Sequence, residues 1–168
     1  LLWSQKDYFY SSDYGFDKEQ ILYGNMYGVF PLSQAETVRQ ELVKIPGVED
    51  ASYSRFTLGM QTEVMSWSRN WGENPDDQYF FKVFPVDEHF LRTYGIKVVE
   101  GRDFNAHDRN AYIINEAMKR KYPRIAIDEP FFKGSSGKVI GVCEDLRFCS
   151  VHVDNMNEPA VFVVMNQD

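Results

Sequence analysis

Residues 86–104, VDEHFLRTYGIKVVEGRDF, decide the fold, because one structural unit is punctuated at both ends within them. Asp87 is placed as an N-cap, whose carboxylate accepts hydrogen bonds from the first free backbone amides of a helix. Phe90, Leu91 and Tyr94 then fall on one face at spacings of three and four. Gly95 stands where a left-handed C-terminal cap is needed, a conformation glycine enters at no steric cost. Residues 96–99 form a short β-rich run, and Gly101 turns the chain before Arg102, Asp103 and Phe104. The reading is a helix docked against a sheet.

The same grammar extends in both directions. Upstream, Ser33 caps a helix, and Glu36 three residues later completes a capping box. Ala35, Val38, Leu42 and Ile45 form its apolar stripe, and Pro46-Gly47 ends it. A strand over 20–30 is expected before this helix and another over 48–56 after it. That is one strand–helix–strand unit, and residues 78–99 give a second. Between them, residues 57–77 predict a hairpin with Asn74-Pro75-Asp76-Asp77 at its tip. Past Phe104 the chain reads as a polar loop (105–110), a short strand (111–114) and a helix capped by Asn115 that runs to about Tyr122. An irregular link between Pro123 and Pro130 follows, then a flexible turn at residues 134–137 and a strand over 138–143. Glu158-Pro159 introduces the last strand, 160–165. This pattern is α+β.

The wording of four segments is more specific than caps and turns require. These are V-D-x-x-F-L-x-T followed by G-I-x-x-x-x-G-R-x-F, the Ile45-Pro46-Gly47-Val48 step, residues 112–117 (YIINEA) and residues 138–148 (KVIGVCEDLRF). In this order they resemble the extracytoplasmic, periplasmic core domain of MacB/FtsX-type ABC transporter permeases. The similarity runs from about Gly15 to Val164. Gly15-Phe16-Asp17-Lys18 resembles the family's G-F-D-K turn, and Trp71-Gly72 with Pro75-Asp76 loosely matches a further passage. The resemblance implies a porter-like subdomain of two strand–helix–strand units, residues 15–100 plus 158–168. It also implies a small β-rich, Sabre-like subdomain at 101–157, the whole chain 1–168 being one extracytoplasmic domain of an inner-membrane protein.

Composition is compatible with this. The 168 residues are 43% hydrophobic and 15% aromatic, enough for a packed core and too apolar for global disorder. A formal net charge of −7 argues against a nucleic-acid or anionic-membrane surface. Lys119, Arg120 and Lys121 form the one dense basic run, at the end of a predicted helix where cations complement the dipole. No run of eighteen apolar residues occurs. If the resemblance holds, Leu1-Leu2-Trp3 are the tail of a membrane helix or its interfacial belt.

Little in the chain reads as reaction chemistry. His89, His107 and His152 are far apart in sequence, so a zinc site is not expected. His89 is read as solvated, and His107 with Asp103 and Asp108 as a polar surface turn. Gly134-Ser135-Ser136-Gly137-Lys138 lacks phosphate-loop spacing and precedes a strand. Glu144 and Asp145 are adjacent, so on a strand they point to opposite faces, the wrong geometry for an acid–base pair. Cys143 and Cys149 are about 20 Å apart on a continuous strand at ~3.3 Å per residue. Buried free thiols come first, with a disulfide across a turn at 144–147 as the alternative. No enzyme activity, cofactor or metal is therefore expected. Met60, Met65, Trp67 and Trp71 crowd the 57–77 segment, residue types favoured at adaptable binding surfaces, and are the candidate partner-contact residues. Packing over the end of the core is the competing account of them.

By resemblance, the function is non-catalytic: coupling ATP hydrolysis elsewhere to export or to an envelope partner. The partners implied are an ABC ATPase subunit or domain and a periplasmic adaptor or other envelope protein, with a dimeric full-length protein. The alternative is an extracytoplasmic ligand-sensing domain of a membrane receptor, which requires a concave pocket with converging polar groups.

Overall fold

A computed structural model of the chain describes residues 21–26, 28–56, 58, 65–70, 78–131, 136–146 and 158–165. Their strands, β1 (Met65–Asn70), β2 (Gln78–Val86), β3 (Val98–Gly101), β4 (Ala111–Asn115), β5 (Lys138–Cys143) and β6 (Ala160–Val164), join in one mixed sheet of order β1-β2-β6-β4-β5-β3. β2 runs parallel to β6, and β4 parallel to β5; the β1–β2, β6–β4 and β5–β3 pairs are antiparallel. Among the described residues three α-helices accompany them: α1 (Ala35–Leu42), α2 (Phe90–Thr93) and α3 (Glu116–Lys121). The class is α+β, as the pattern predicts.

The sheet is covered on both faces, which is why its central strand is an uninterrupted apolar run. In β6 neighbouring residues point opposite ways, and Ala160, Val161, Phe162 and Val164 are all buried. On one face Phe84, Ile113, Cys143 and Phe162 pack with Phe90 and Leu91 of α2. The ring centroids of Phe84 and Phe90 lie 5.4 and 5.9 Å from that of Phe162. On the other face Phe81, Ile114, Val139, Val142 and Val161 pack with Met118 of α3 and with Phe131. Burying each of these large side chains contributes roughly 1.5–3 kcal/mol.

The central unit ends as its sequence dictates. Gly95 has φ +68°, its amide donates to the Arg92 carbonyl at 3.0 Å, and the Ile96 amide donates to Leu91 at 2.8 Å. That double closure is a Schellman motif, and Ile96 joins the same core as Leu91. The start differs from expectation. The Asp87 carbonyl, not its carboxylate, accepts from the Phe90 amide, at 3.4 Å, and the carboxylate turns to another segment. Asn115 does cap α3, its side chain accepting from the Met118 amide at 3.0 Å.

The upstream unit departs further. Residues 21–26 and 28–30 form no strand, and in 48–56 only Ser54 bridges to a strand, at Val86. Ser33 lies inside a 3₁₀ turn, Leu32–Gln34, that runs into α1, with no side-chain cap. Glu36 bonds Arg39 and Gln40 instead of closing a capping box. The stripe buries Ala35, while Leu42 and Ile45 are 43% and 51% exposed. By contrast β4–α3–β5 is a strand–helix–strand unit with adjacent parallel strands, and it comes from the 101–157 stretch. β1 and β2 form the predicted hairpin, Asn70 opposite Gln78, its tip outside the described residues.

Candidate functional site

The predicted contact residues divide. Met65 and Trp67 lie on β1, opposite Val83 and Phe81 in the antiparallel register and at one edge of the described sheet. Met60 and Trp71 lie outside the described residues.

A second constellation, unread in the sequence, lies where α1 meets the end of β2 and α2. Asp50 accepts from Arg92 Nε at 2.7 Å and lies 3.6 Å from Arg39. Arg39 grips Glu36 with two hydrogen bonds of 2.8 Å. His89 Nδ1 lies 2.8 Å from Arg92 Nη2; arginine only donates, so Nδ1 accepts and the ring proton sits on Nε2. Nε2 is 3.8 Å from Glu88 and 4.0 Å from Glu36. His89 is therefore half-buried against carboxylates rather than solvated. Glu36, Glu88 and His89 come within 4.8 Å of one another. Arg39 and Arg92 engage Glu36 and His89, so the group is an ion-pair network as it stands.

Beneath the network Asp87 is fully buried. Its Oδ2 accepts from the Tyr53 amide at 3.1 Å, its own amide donates to the Tyr53 carbonyl at 3.1 Å, and Oδ1 makes no hydrogen bond. Burial pushes the carboxyl up to about 7 against the pull of the Tyr53 amide, with Glu88 pushing further and the His89 amide and Arg39 opposing. Arg39 holds Glu36 below the usual carboxylate range. Burial raises Asp50, but Arg92 and the Ala51 amide outweigh it and hold it low. Burial and the charge of Arg39 lower His89.

The KVIGVCEDLRF segment is structural in its described part. Asp145 Oδ1 accepts from the Ala117 amide at 2.6 Å and Oδ2 pairs with Arg120, fixing the start of α3. Glu144 instead accepts from the Lys97 amide at 3.0 Å, so the two carboxylates serve different elements, as their alternation predicts. Cys143 is a buried free thiol whose ionisation burial pushes far up. Such a thiol is a poor nucleophile; Cys149 lies outside the described residues. In the 105–110 loop, Arg102 bonds Asp108 with two contacts of 2.7 Å and Asp103 accepts from the Phe104 amide. These carboxylates close a surface turn. A cavity of about 240 Å³, lined by Ile114, Ile125, Ile127 and Val142, has the Glu100–Lys119 ion pair among its walls.

No family model and no curated protein matches the chain. Solved structures do. The extracellular domain of the noncanonic ABC-type transporter YknZ from Gram-positive bacteria superposes with a TM-score of 0.52 and 18% identity, over 90% of this chain and 70% of that one. A domain of a permease protein from Porphyromonas gingivalis gives 0.50 and 22%, over 77% of this chain and 55% of its own. The periplasmic region of MacB from Actinobacillus actinomycetemcomitans gives 0.49 and 15%, over 80% and 55%. The fold rests on the first two: this chain has the fold of the extracytoplasmic domains of ABC-type transporter permeases.

Proposed function

We infer that the chain is a non-catalytic extracytoplasmic domain of an ABC transporter permease, coupling ATP hydrolysis on the other side of the membrane to export or to an envelope partner. The observation that carries this reading is the fold shared with the YknZ extracellular domain over 90% of the chain. Asp50, Asp87, Glu144 and Asp145 each tie one element to another. Coupling of this kind needs a packed element with two arrangements, not a reaction site. The partners are an ABC ATPase subunit or domain and an envelope protein such as a periplasmic adaptor, and the full-length protein is a dimer. Met60, Met65, Trp67 and Trp71 form the partner-contact segment.

The receptor-sensor alternative asks for a pocket with converging polar groups. The cavity beside Lys119 is about 240 Å³, below the ~300–1,000 Å³ of ordinary small-molecule sites, and mostly aliphatic. Crosslinking capture of the full-length protein from envelopes separates the readings. Recovery of an ATPase subunit is expected, with an envelope partner that is lost in the Trp67→Ala, Trp71→Ala variant. If no ATPase is recovered, the permease reading fails.

A further inference from the structure

α1 is tied to the sheet mainly through polar groups. The helix buries only Ala35 and leaves Leu42 exposed, so apolar burial contributes little to its attachment. The links are the single bridge Ser54–Val86, the Arg55 amide donating to the Pro85 carbonyl at 3.0 Å, the Tyr53–Asp87 exchange and the Arg92–Asp50 pair. His89 facing Glu36 completes the seam. Every polar link joins residues 36–55 to residues 85–92, while Phe56, at the end of the segment, packs on the core; Asp87 sits under the polar links with one carboxylate oxygen bonded and the other unpartnered.

We propose that residues 28–55 form an arm clasped over Asp87, and that the protonation state of Asp87 sets how firmly the arm is closed. A neutral carboxyl tolerates the closed seam. An ionised one, buried with the Tyr53 amide bonded to one oxygen and only the His89 amide and Arg39 to help it further, gains water when the arm lifts. The charged groups facing Asp87 are Glu88 on its own turn, which disfavours ionisation, and Arg39 on α1, which favours it. Arg92 of α2 is engaged by Asp50 and His89.

The sign follows from the two states. Closed, the carboxyl is raised to about 7; open and solvated, it returns to its ordinary 3.8. The closed arm is therefore most favoured below the open-state value and loses that advantage as pH rises through about 7. His89 acts oppositely: its lowered value means that protonation favours the open arm on the acid side. Asp50 and Glu36, held low by arginines, keep their links until strongly acid pH. This device does not depend on the transporter reading.

Residue-resolved amide exchange on the whole chain, corrected for intrinsic rates, tests it. Between about pH 4 and pH 8 the Tyr53 and Arg55 amides are expected to lose protection by up to about a thousandfold, the ceiling set by the difference between the two carboxyl values. The Ile113 and Phe162 amides, in the sheet centre, keep theirs. Asp87→Asn, which retains an acceptor for the Tyr53 amide, abolishes the loss of protection toward alkaline pH and leaves only the opposite, acid-side effect of His89. Glu88→Gln, a milder change, moves its midpoint to lower pH. A wild-type slope shared by the sheet amides, a loss of protection toward alkaline pH that survives Asp87→Asn, or a midpoint unmoved by Glu88→Gln overturns the proposal. If Asp87→Asn folds poorly, the wild-type profile and Glu88→Gln decide it.

Discussion

Replacing Asn115 by alanine is the sharpest test of how the sheet is assembled. The side chain is fully buried and makes three hydrogen bonds at once. Its oxygen accepts from the Met118 amide at 3.0 Å, capping α3, and from the Ala160 amide at 2.9 Å, where β6 begins. Its amide nitrogen donates to the Glu158 carbonyl at 2.9 Å. One residue thus fastens the last strand in the chain beside β4 while starting the helix that covers the opposite core. Losing the cap costs about 1 kcal/mol. The Ala160 amide and the Glu158 carbonyl are then left without their partner at about 1–3 kcal/mol each. The sum is roughly 3–7 kcal/mol, and at ~2–4 °C per kcal/mol for a domain of this size the melting temperature falls by at least about 6 °C. Urea unfolding followed by near-UV circular dichroism measures it. Asn115→Asp should recover part of the cap while still losing the bond to Glu158. A loss below 1 kcal/mol for the alanine variant would refute the hub role, because it would mean water replaces all three bonds at no cost.

Three other predictions follow from single contacts. Gly101 has φ +74°, and a Cβ there would lie 2.3 Å from the Ile140 carbonyl, so Gly101→Ala should detach β3 and destabilise by about 2 kcal/mol or more, read as lost amide protection at Glu100 and Val142. Phe162→Ala removes the ring between Phe84 and Phe90 and should cost about 3–5 kcal/mol in denaturant unfolding; a smaller loss would mean that the two neighbours close the gap. Cys143, tested in a Cys149→Ser background, should react with a thiol reagent at mild alkaline pH only as fast as the protein opens, and fast labelling of the native state would contradict its burial.

Local chemistry was the part readable from sequence. The Gly95 cap and the Asn115 cap were legible because donor, acceptor and backbone angle all lie within six residues. The hairpin, β4, β5 and β6 were legible from apolar runs between turn residues. Asp87 misled because its amide partner, Tyr53, is 34 positions away, and a carboxylate offered donors by two segments takes the one tertiary packing supplies. Asp50–Arg92, at a separation of 42, has no local signal for the same reason. The stripe of α1 was correctly periodic, but periodicity says only that a face exists, not what covers it: Leu42 and Ile45 remain exposed. The strands expected around α1 failed because 48–56 meets the sheet at one bridge, where Pro85 lacks an amide proton to continue a ladder.

The covering of both sheet faces constrains where any partner can bind. α2 with its core and α3 with Phe131 occupy the two faces, so the contacts left among the described residues are the edges and the outer side of α1. The two edges are not equivalent. β3 is four residues long, with an irregular register between Val98 and Glu100 and flanking charges at Lys97 and Glu100, features that discourage strand addition. β1 is six residues long and pairs with β2 in unbroken register from Met65 to Asn70. An extended partner segment would therefore add at β1, the edge that carries Met65 and Trp67. Backbone pairing there would supply affinity and alternate side chains the specificity. Ser68→Pro removes one backbone donor of β1 without touching either apolar residue. It should abolish capture of such a partner, and capture that survives would move the contact to the side chains or to α1.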